Sequence, residues 1–301
     1  MAFKTDFRPD VIAGNVPYSS GLDIDFIYDA YEVSRYGICE ITPAKCFVAD
    51  ATQRIDSTHS YGDFQEQIVP TIDRLVFYPD AAEVFEIRNA DGITIYTCNK
   101  SKDKEDNCTV INRNLHQKYF NSTEKRNITN RATLHNCGYR LTEQLSSFDR
   151  FTFPNITGAK RFQVYTGTKI NGGCGWGFAN RKDPCSTFNL QGAMRCLGGS
   201  VIADTEKGEV DSREYSICTF ESDDINECES FISWLDTKLI RFLVMINISK
   251  LSRILTDDYF RFVPKPFKSF SNGLYTDSEM YTYYNIDNST IDIIENTIIK
   301  G

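Results

Sequence analysis

The residues best suited to chemistry in this chain are Asn15, Val16, Pro17 and Tyr18. They follow a short apolar run, Asp10 to Gly14, that reads as a β-strand ending at a glycine. Ligands of open α/β sheets bind in the crevice beyond the carboxyl ends of the strands, where such a turn would lie. The turn offers an amide oxygen from Asn15, a backbone carbonyl from Val16, a stiffened backbone at Pro17 and an aromatic face from Tyr18. That set suits a planar base bearing an exocyclic amine. One amine hydrogen goes to the Asn15 oxygen and the other to the Val16 carbonyl. The ring stacks on Tyr18, a contact worth roughly 1–3 kcal/mol per base. The same four residues also fit a plain strand-to-loop bend, in which Asn15 caps backbone groups and Tyr18 packs on the core.

A second group of chemistry-bearing residues is cationic. Residues 101–200 carry 15 Lys/Arg against 7 Asp/Glu, whereas residues 1–100 carry 8 against 16 and residues 201–301 carry 10 against 18. The net charge of −8 therefore conceals a basic middle third. Lys160, Arg161, Lys169, Arg181 and Lys182 are the candidates for contact with DNA phosphates, the alternative being a solvated face with no partner. His59, His116 and His135 read as structural.

The elements that must position the turn alternate. After the strand at Asp10 to Gly14, Leu22 to Tyr36 reads as a helix with Leu22, Phe26, Ile27, Ala30 and Val33 on one side. Ile38 to Thr42 is a second strand, closed by Pro43. Residues 62–73 allow a helix limited by Pro70, Arg74 to Tyr78 is a third strand, and Ile93 to Thr97 a fourth behind the turn signal Asp91-Gly92. This order implies an α/β sheet that is at least partly parallel. Residues 101–135 are polar and read as a linker or exposed excursion. Residues 150–220 read as a β-rich module with a strand at Arg161 to Tyr165 and a glycine-rich loop from Gly172 to Gly177. Residues 226–255 read as one helix, and two more follow at Asp277 to Tyr283 and Thr290 to Ile299.

Composition bounds the alternatives. With 301 residues, 41% hydrophobic and 25% charged, the chain is globular rather than collagenous or disordered. No apolar run approaches the ~20 residues of a membrane span. Met1 to Pro9 carries Lys4, Asp6 and Arg8 and has no apolar signal core, so a cytoplasmic protein is expected. None of the ten cysteines forms a C-x-x-C pair, which argues against a zinc ribbon. Their even number and several Asn-x-Ser/Thr triplets would suit a secreted disulfide protein. Without a signal peptide, reduced and mostly buried thiols are the expectation.

Asp10 to Tyr18 is similar to the strand and Asn-Pro-Pro-Tyr turn of the γ-type N6-adenine DNA methyltransferases of restriction–modification systems. Leu22 to Lys45 resembles the helix and strand that follow in that family. Val76 to Asp80, Glu83 to Phe85 and Gly92 to Tyr96 resemble the next two sheet motifs. Thr237 to Leu243, Phe262 to Pro264 and Tyr275 to Tyr281 resemble a branch that fuses methylase and target-recognition regions. The resemblance implies an incomplete Rossmann-like methyltransferase sheet in residues 1–100, a linker and DNA target-recognition region in 101–230, and a helical segment in 231–301. It implies that Asn15 and the Val16 carbonyl hold the target adenine's amine, that Pro17 shapes the turn, and that Tyr18, with Phe85, packs on the base flipped from double-stranded DNA. The methyl donor would be S-adenosylmethionine, attacked directly by the amine nitrogen.

Two departures from the family pattern stand out. Val16 takes the place of the turn's first proline. Only 14 residues precede Asn15, and no glycine-rich donor loop or acidic ribose ligand is found ahead of it. The expectation is a C-terminal catalytic portion that works with a separate chain supplying the donor-binding half, or a truncated product. Missing strands would leave one sheet edge exposed. The alternatives are a non-catalytic DNA-binding or specificity subunit using residues 101–230, and an inactive remnant.

Overall fold

The computed structural model describes residues 7–17, 21–47, 57–79, 84–85, 92–113, 121–129, 131–166, 200–207, 217–247 and 260–297. The chain is a mixed α/β protein that divides into two compact units, Met1–Tyr139 and Arg140–Gly301. Among the described residues no helix is long and apolar enough to cross a membrane.

Unit 1 is built on a six-stranded sheet of order β1-β2-β4-β3-β5-β6. Its strands are β1 (Val11–Asn15), β2 (Gly37–Pro43), β3 (Ile72–Tyr78), β4 (Ile93–Asn99), β5 (Cys108–Asn112) and β6 (Ser122–Arg126). β1 and β2 are parallel, joined through helix α1 (Leu22–Val33). β4 runs antiparallel between β2 and β3, β5 is parallel to β3, and β6 closes the far edge antiparallel. The carboxyl ends of β1, β2, β3 and β5 therefore share one end of the sheet.

The core lies against one face of this sheet. Ile38, Tyr96, Leu75 and Val110 on that face are buried, along with Phe47, Phe64 and Ile68 from the segments that follow β2 and precede β3. On α1 the buried stripe is Ile24, Ile27, Tyr28 and Ala30, while Leu22 and Phe26 are exposed. The buried face is thus rotated from the one the sequence suggested. Residues 24, 27 and 28 follow the i, i+3, i+4 spacing of a helical stripe, and Leu22 sits at the exposed first turn. The helical segment from Tyr61 to Thr71 starts on a capping box between Ser60 and Asp63 and widens into a π-helical turn before Pro70.

The sheet continues past residue 100. β5 and β6 occupy the stretch read as a polar linker, so a boundary at 100 falls between two strands of one sheet. β5 was masked by the charged turn before it, and β6, Ser-Thr-Glu-Lys-Arg, has no apolar residue at all. It is a strand because it pairs with β5, not because of its own propensity. Arg126 fastens this edge. Its side chain is 1% exposed and donates to Asn112 Oδ1 at 2.9 Å and the Leu134 carbonyl at 2.7 Å, with Glu124 at 3.2 Å. Its guanidinium also lies over the Tyr139 ring.

Unit 2 contains a three-stranded antiparallel sheet of order β8-β7-β9, from β7 (Phe162–Thr166), β8 (Ser200–Asp204) and β9 (Ile217–Ser222). Helix α2 (Asn136–Leu145) spans the division between units, and α3 (Ile225–Leu235), α4 (Lys238–Asn247), α5 (Asp277–Tyr283) and α6 (Asn288–Thr297) follow β9. The single helix expected over 226–255 is two helices through residue 247, and 248–255 lie outside the described residues. The break comes where the Thr237 hydroxyl donates to the Trp234 carbonyl at 2.8 Å and Asp277 Oδ1 accepts from the Lys238 amide at 2.6 Å. Side-chain oxygens thereby satisfy the backbone groups exposed at both new ends. Phe151, Phe231, Trp234 and Phe260 form the aromatic core, with Trp234 and Phe231 fully buried.

Replacing Arg126 with alanine empties a buried site and takes one of two donors from Asn112 Oδ1, which keeps the Ser122 hydroxyl, and from the Leu134 carbonyl, which keeps the Asn112 amide; it is expected to cost about 3 kcal/mol. Urea unfolding checks this, and a loss below about 1 kcal/mol would show that the arginine does not hold the edge.

Candidate functional site

The Asn15 turn leaves β1 at the carboxyl end of the sheet. Asn15 and Pro17 are exposed, whereas the Val16 side chain is 7% exposed and belongs to the hydrophobic core with Ile24 and Ile27. A buried valine between two exposed residues pins the turn from below. Packing can thus supply the stiffness that a second proline would have given. Tyr18 lies outside the described residues. The described residues resume at Gly21, whose φ of 92° is a left-handed value that glycine adopts without strain, and α1 follows it.

Beneath the turn sits a carboxyl that the sequence reading passed over. Glu40, on β2, is 2% exposed and pairs in register with Gly14 on one side and Tyr96 on the other. A Cβ at position 14 would stand 2.8 Å from Glu40 Oε2, so the glycine is what leaves room for the carboxyl. Glu40 Oε2 and the Tyr96 hydroxyl are both buried without a hydrogen-bond partner. Burial disfavours the charged form and pushes the Glu40 carboxyl up to about 7. The Tyr96 hydroxyl is pushed up by the same desolvation. The signal for Glu40 was available, since it stands between Ile38 and Thr42 on the inward face of a strand.

A second buried acid opens α1. Asp23 is fully buried, with Oδ2 3.6 Å from Lys45 Nζ and accepting from Cys46 Sγ at 3.3 Å. Lys45 and Cys46 belong to the short helical turn Ala44–Phe47 after β2. The pair ties the start of α1 to the end of β2 on the same side of the sheet as Asn15. His59 stacks on Tyr28 with ring centroids 3.7 Å apart and faces Asp25 Oδ1 at 3.4 Å. His135 is buried edge-on to Phe77. Both histidines are built into packing contacts, and His116 lies outside the described residues.

The remaining expected site residues separate. Phe85 is half-buried in the connection from β3 to β4. That connection belongs to the same end of the sheet as the Asn15 turn, because Tyr78 and Pro43 both pair with Ile93 while Asn15 pairs with Ile41. Lys160 and Arg161 are in unit 2. Lys160 Nζ is 2.6 Å from Asp223 Oδ2. Arg161 makes a bidentate contact with Asp204, both bonds 3.1 Å, and reaches Glu206 at 2.9 Å. Their charges are matched within the protein by acids from the next third of the chain. Lys169, Arg181 and Lys182 lie outside the described residues.

No family model and no curated protein matches this chain. Its site must be judged on geometry. S-adenosylmethionine, the donor that the resemblance implies, needs a cradle of backbone amides. Among the described residues no glycine-rich loop joins a strand to a helix, and no strand pairs with the outer edge of β1. The described residues do not fit a complete donor site.

Glu40 also sets a pH dependence. Its carboxyl has an ordinary value of 4.5 in the unfolded chain and about 7 in the fold, so the folded state binds more protons between those values. Stability contributed by neutral Glu40 is full below 4.5 and is lost as pH rises through about 7. The loss amounts to roughly 3 kcal/mol. Glu40→Gln is expected to flatten that decline, measured by urea unfolding at about pH 5 and about pH 8. An equal decline in both proteins would show that Glu40 is ionised throughout.

Proposed function

We propose that unit 1 is the base-gripping part of a site-specific adenine-N6 DNA methyltransferase of the restriction–modification type. The observation that carries this reading is the exposure of Asn15 at the carboxyl end of β1, immediately before a side chain sunk in the core. An exposed residue on an anchored turn stands where an extruded base can reach it. The Asn15 oxygen and the Val16 carbonyl accept the two amine hydrogens of adenine, which fixes the amine in its plane. Tyr18 covers the ring, and Phe85, in the loop at the same end of the sheet, is the second aromatic wall. Positioning of this kind contributes more to a transfer reaction than a strong base does, and no histidine is required.

The donor is held elsewhere, by a chain that completes the sheet along the outer edge of β1. Among the described residues no strand pairs with the outer edge of β1, which supports this arrangement, since an unpaired edge invites a partner strand. The lack of a donor cradle among the described residues also favours a second reading, a specificity subunit that binds DNA without transferring anything.

Asn15→Ala separates the two. The chain is co-produced with the product of the neighbouring reading frame in a bacterial host free of adenine methylation, and N6-methyladenine is measured by mass spectrometry of digested DNA. The expected outcome is methylation with the unaltered chain and a loss of about 100-fold or more with Asn15→Ala, while duplex binding is retained. Methylation that survives the substitution overturns the base-gripping role. Stoichiometric S-adenosylmethionine binding by the chain alone, measured by calorimetry, overturns the divided site.

A further inference from the structure

Unit 2 carries an open pocket of about 620 Å³ that the proposed reaction does not use. Its size falls within the range of about 300–1,000 Å³ typical of small-ligand sites. Its frame is a backbone pairing between two distant segments. Arg150 forms a β-bridge with Pro264, the Phe151 amide donates to the Val263 carbonyl at 2.9 Å, and the Lys265 amide donates to the Asp149 carbonyl at 2.8 Å. Position 264 being proline, the bridge is short and ends at Lys265. Arg150 and Lys265 both line the pocket that this pairing frames.

Both cations are exposed, and neither makes an ion pair or side-chain hydrogen bond with the described residues. This sets them apart from the other cations of the unit. Lys160 and Arg161 are held by Asp223, Asp204 and Glu206. Lys268, which also lines the pocket, is engaged by the Leu274 carbonyl at 2.7 Å and Glu279 at 3.2 Å. The one acid in the lining is Asp149. The rim therefore keeps two uncommitted positive charges against one negative.

The apolar part is aromatic. Phe220 and Phe270 are half-buried, 5.3 Å apart between centroids and nearly perpendicular, and Phe151 lies behind them. Phe220 is held by stacking on Phe231 at 4.6 Å. The rings are thus fixed before any ligand arrives, so a planar group that lands on them gives up little side-chain entropy.

A planar aromatic surface beside two free cations fits a ligand that joins a planar ring to an anion. We infer that this pocket receives one nucleotide of an unpaired nucleic-acid strand, with the base against Phe220 and Phe270 and its phosphate between Arg150 and Lys265. Stacking tolerates any base, so the site contributes affinity for unpaired strands rather than sequence choice. The inference goes beyond the methyl-transfer reading and is independent of it, because its residues are all in unit 2.

The test is fluorescence anisotropy of the full chain with a labelled single-stranded oligodeoxynucleotide and with an abasic strand of equal length. The unaltered chain is expected to bind the base-containing strand at least about ten times more tightly than the abasic one, a ratio that one stacked base at 1–3 kcal/mol supplies. Arg150→Ala with Lys265→Ala changes two exposed side chains and should leave the fold intact, checked by circular dichroism. It is expected to lower the slope of log affinity against log salt by about 0.7, the figure for one phosphate contact on a single strand. Lys160→Ala, whose charge is already matched, should change the slope by much less. Failure to bind the strand, an unchanged slope in the double variant, or equal affinity for the abasic strand would each overturn the inference. So would equally effective competition by a polyglutamate peptide.

Discussion

A single row of residues across the unit 1 sheet sets the conditions for everything at its carboxyl end. Gly14, Glu40, Tyr96, Leu75 and Val110 stand side by side on the buried face, each in register with the next. The carboxyl of Glu40 fits only because position 14 lacks a Cβ. Side chains alternate along a strand, so a slip of β1 by one residue would bring a Cβ against Glu40 and turn Asn15 to the inside. The close approach of Gly14 to Glu40 thus decides that the amide of Asn15 faces outward and the side chain of Val16 faces in. Desolvation, which holds Glu40 toward its neutral form, removes the charge that would otherwise make such a neighbour intolerable.

Much of this frame was legible in the residues themselves. The strands at Asp10 to Gly14, Ile38 to Thr42, Arg74 to Tyr78 and Ile93 to Thr97 are each found, the first shifted by one residue and the others extended by one or two. The helices expected from Leu22 and Asp277 begin at those residues. These elements carry their own signals, as apolar runs bounded by glycine or proline. β6 carries none. Its polar residues become a strand through a partner and through Arg126, a cation whose burial depends on Asn112 and Leu134 being folded around it. Such an element exists only as tertiary structure.

The charged residues show the same limit more sharply. A count of Lys and Arg along the chain marks residues 101–200 as basic, yet Lys160 and Arg161 meet acids drawn from residues 204–223. Arg150 and Lys265 fall in different thirds of the sequence, yet both line one pocket of the fold. Local charge density is a property of a sequence window, whereas free charge is a property of a folded surface. The same holds for Glu40, whose chemistry comes from what surrounds it. The turn at Asn15 stands out as a candidate in the sequence because its residue types are consecutive.

The sulfur atoms of this protein have a use that its fold creates. Cys98 and Cys108 sit on neighbouring parts of the unit 1 sheet, and Cys228 is enclosed in unit 2, all with thiols pushed up to about 12 by burial. At neutral pH they remain protonated and shielded, so electrophiles such as iodoacetamide do not reach a thiolate. Each becomes reactive only when its own strand or helix opens. The rate at which each sulfur is alkylated is therefore a clock for local opening, readable by mass spectrometry without a label, and it reports the two units separately.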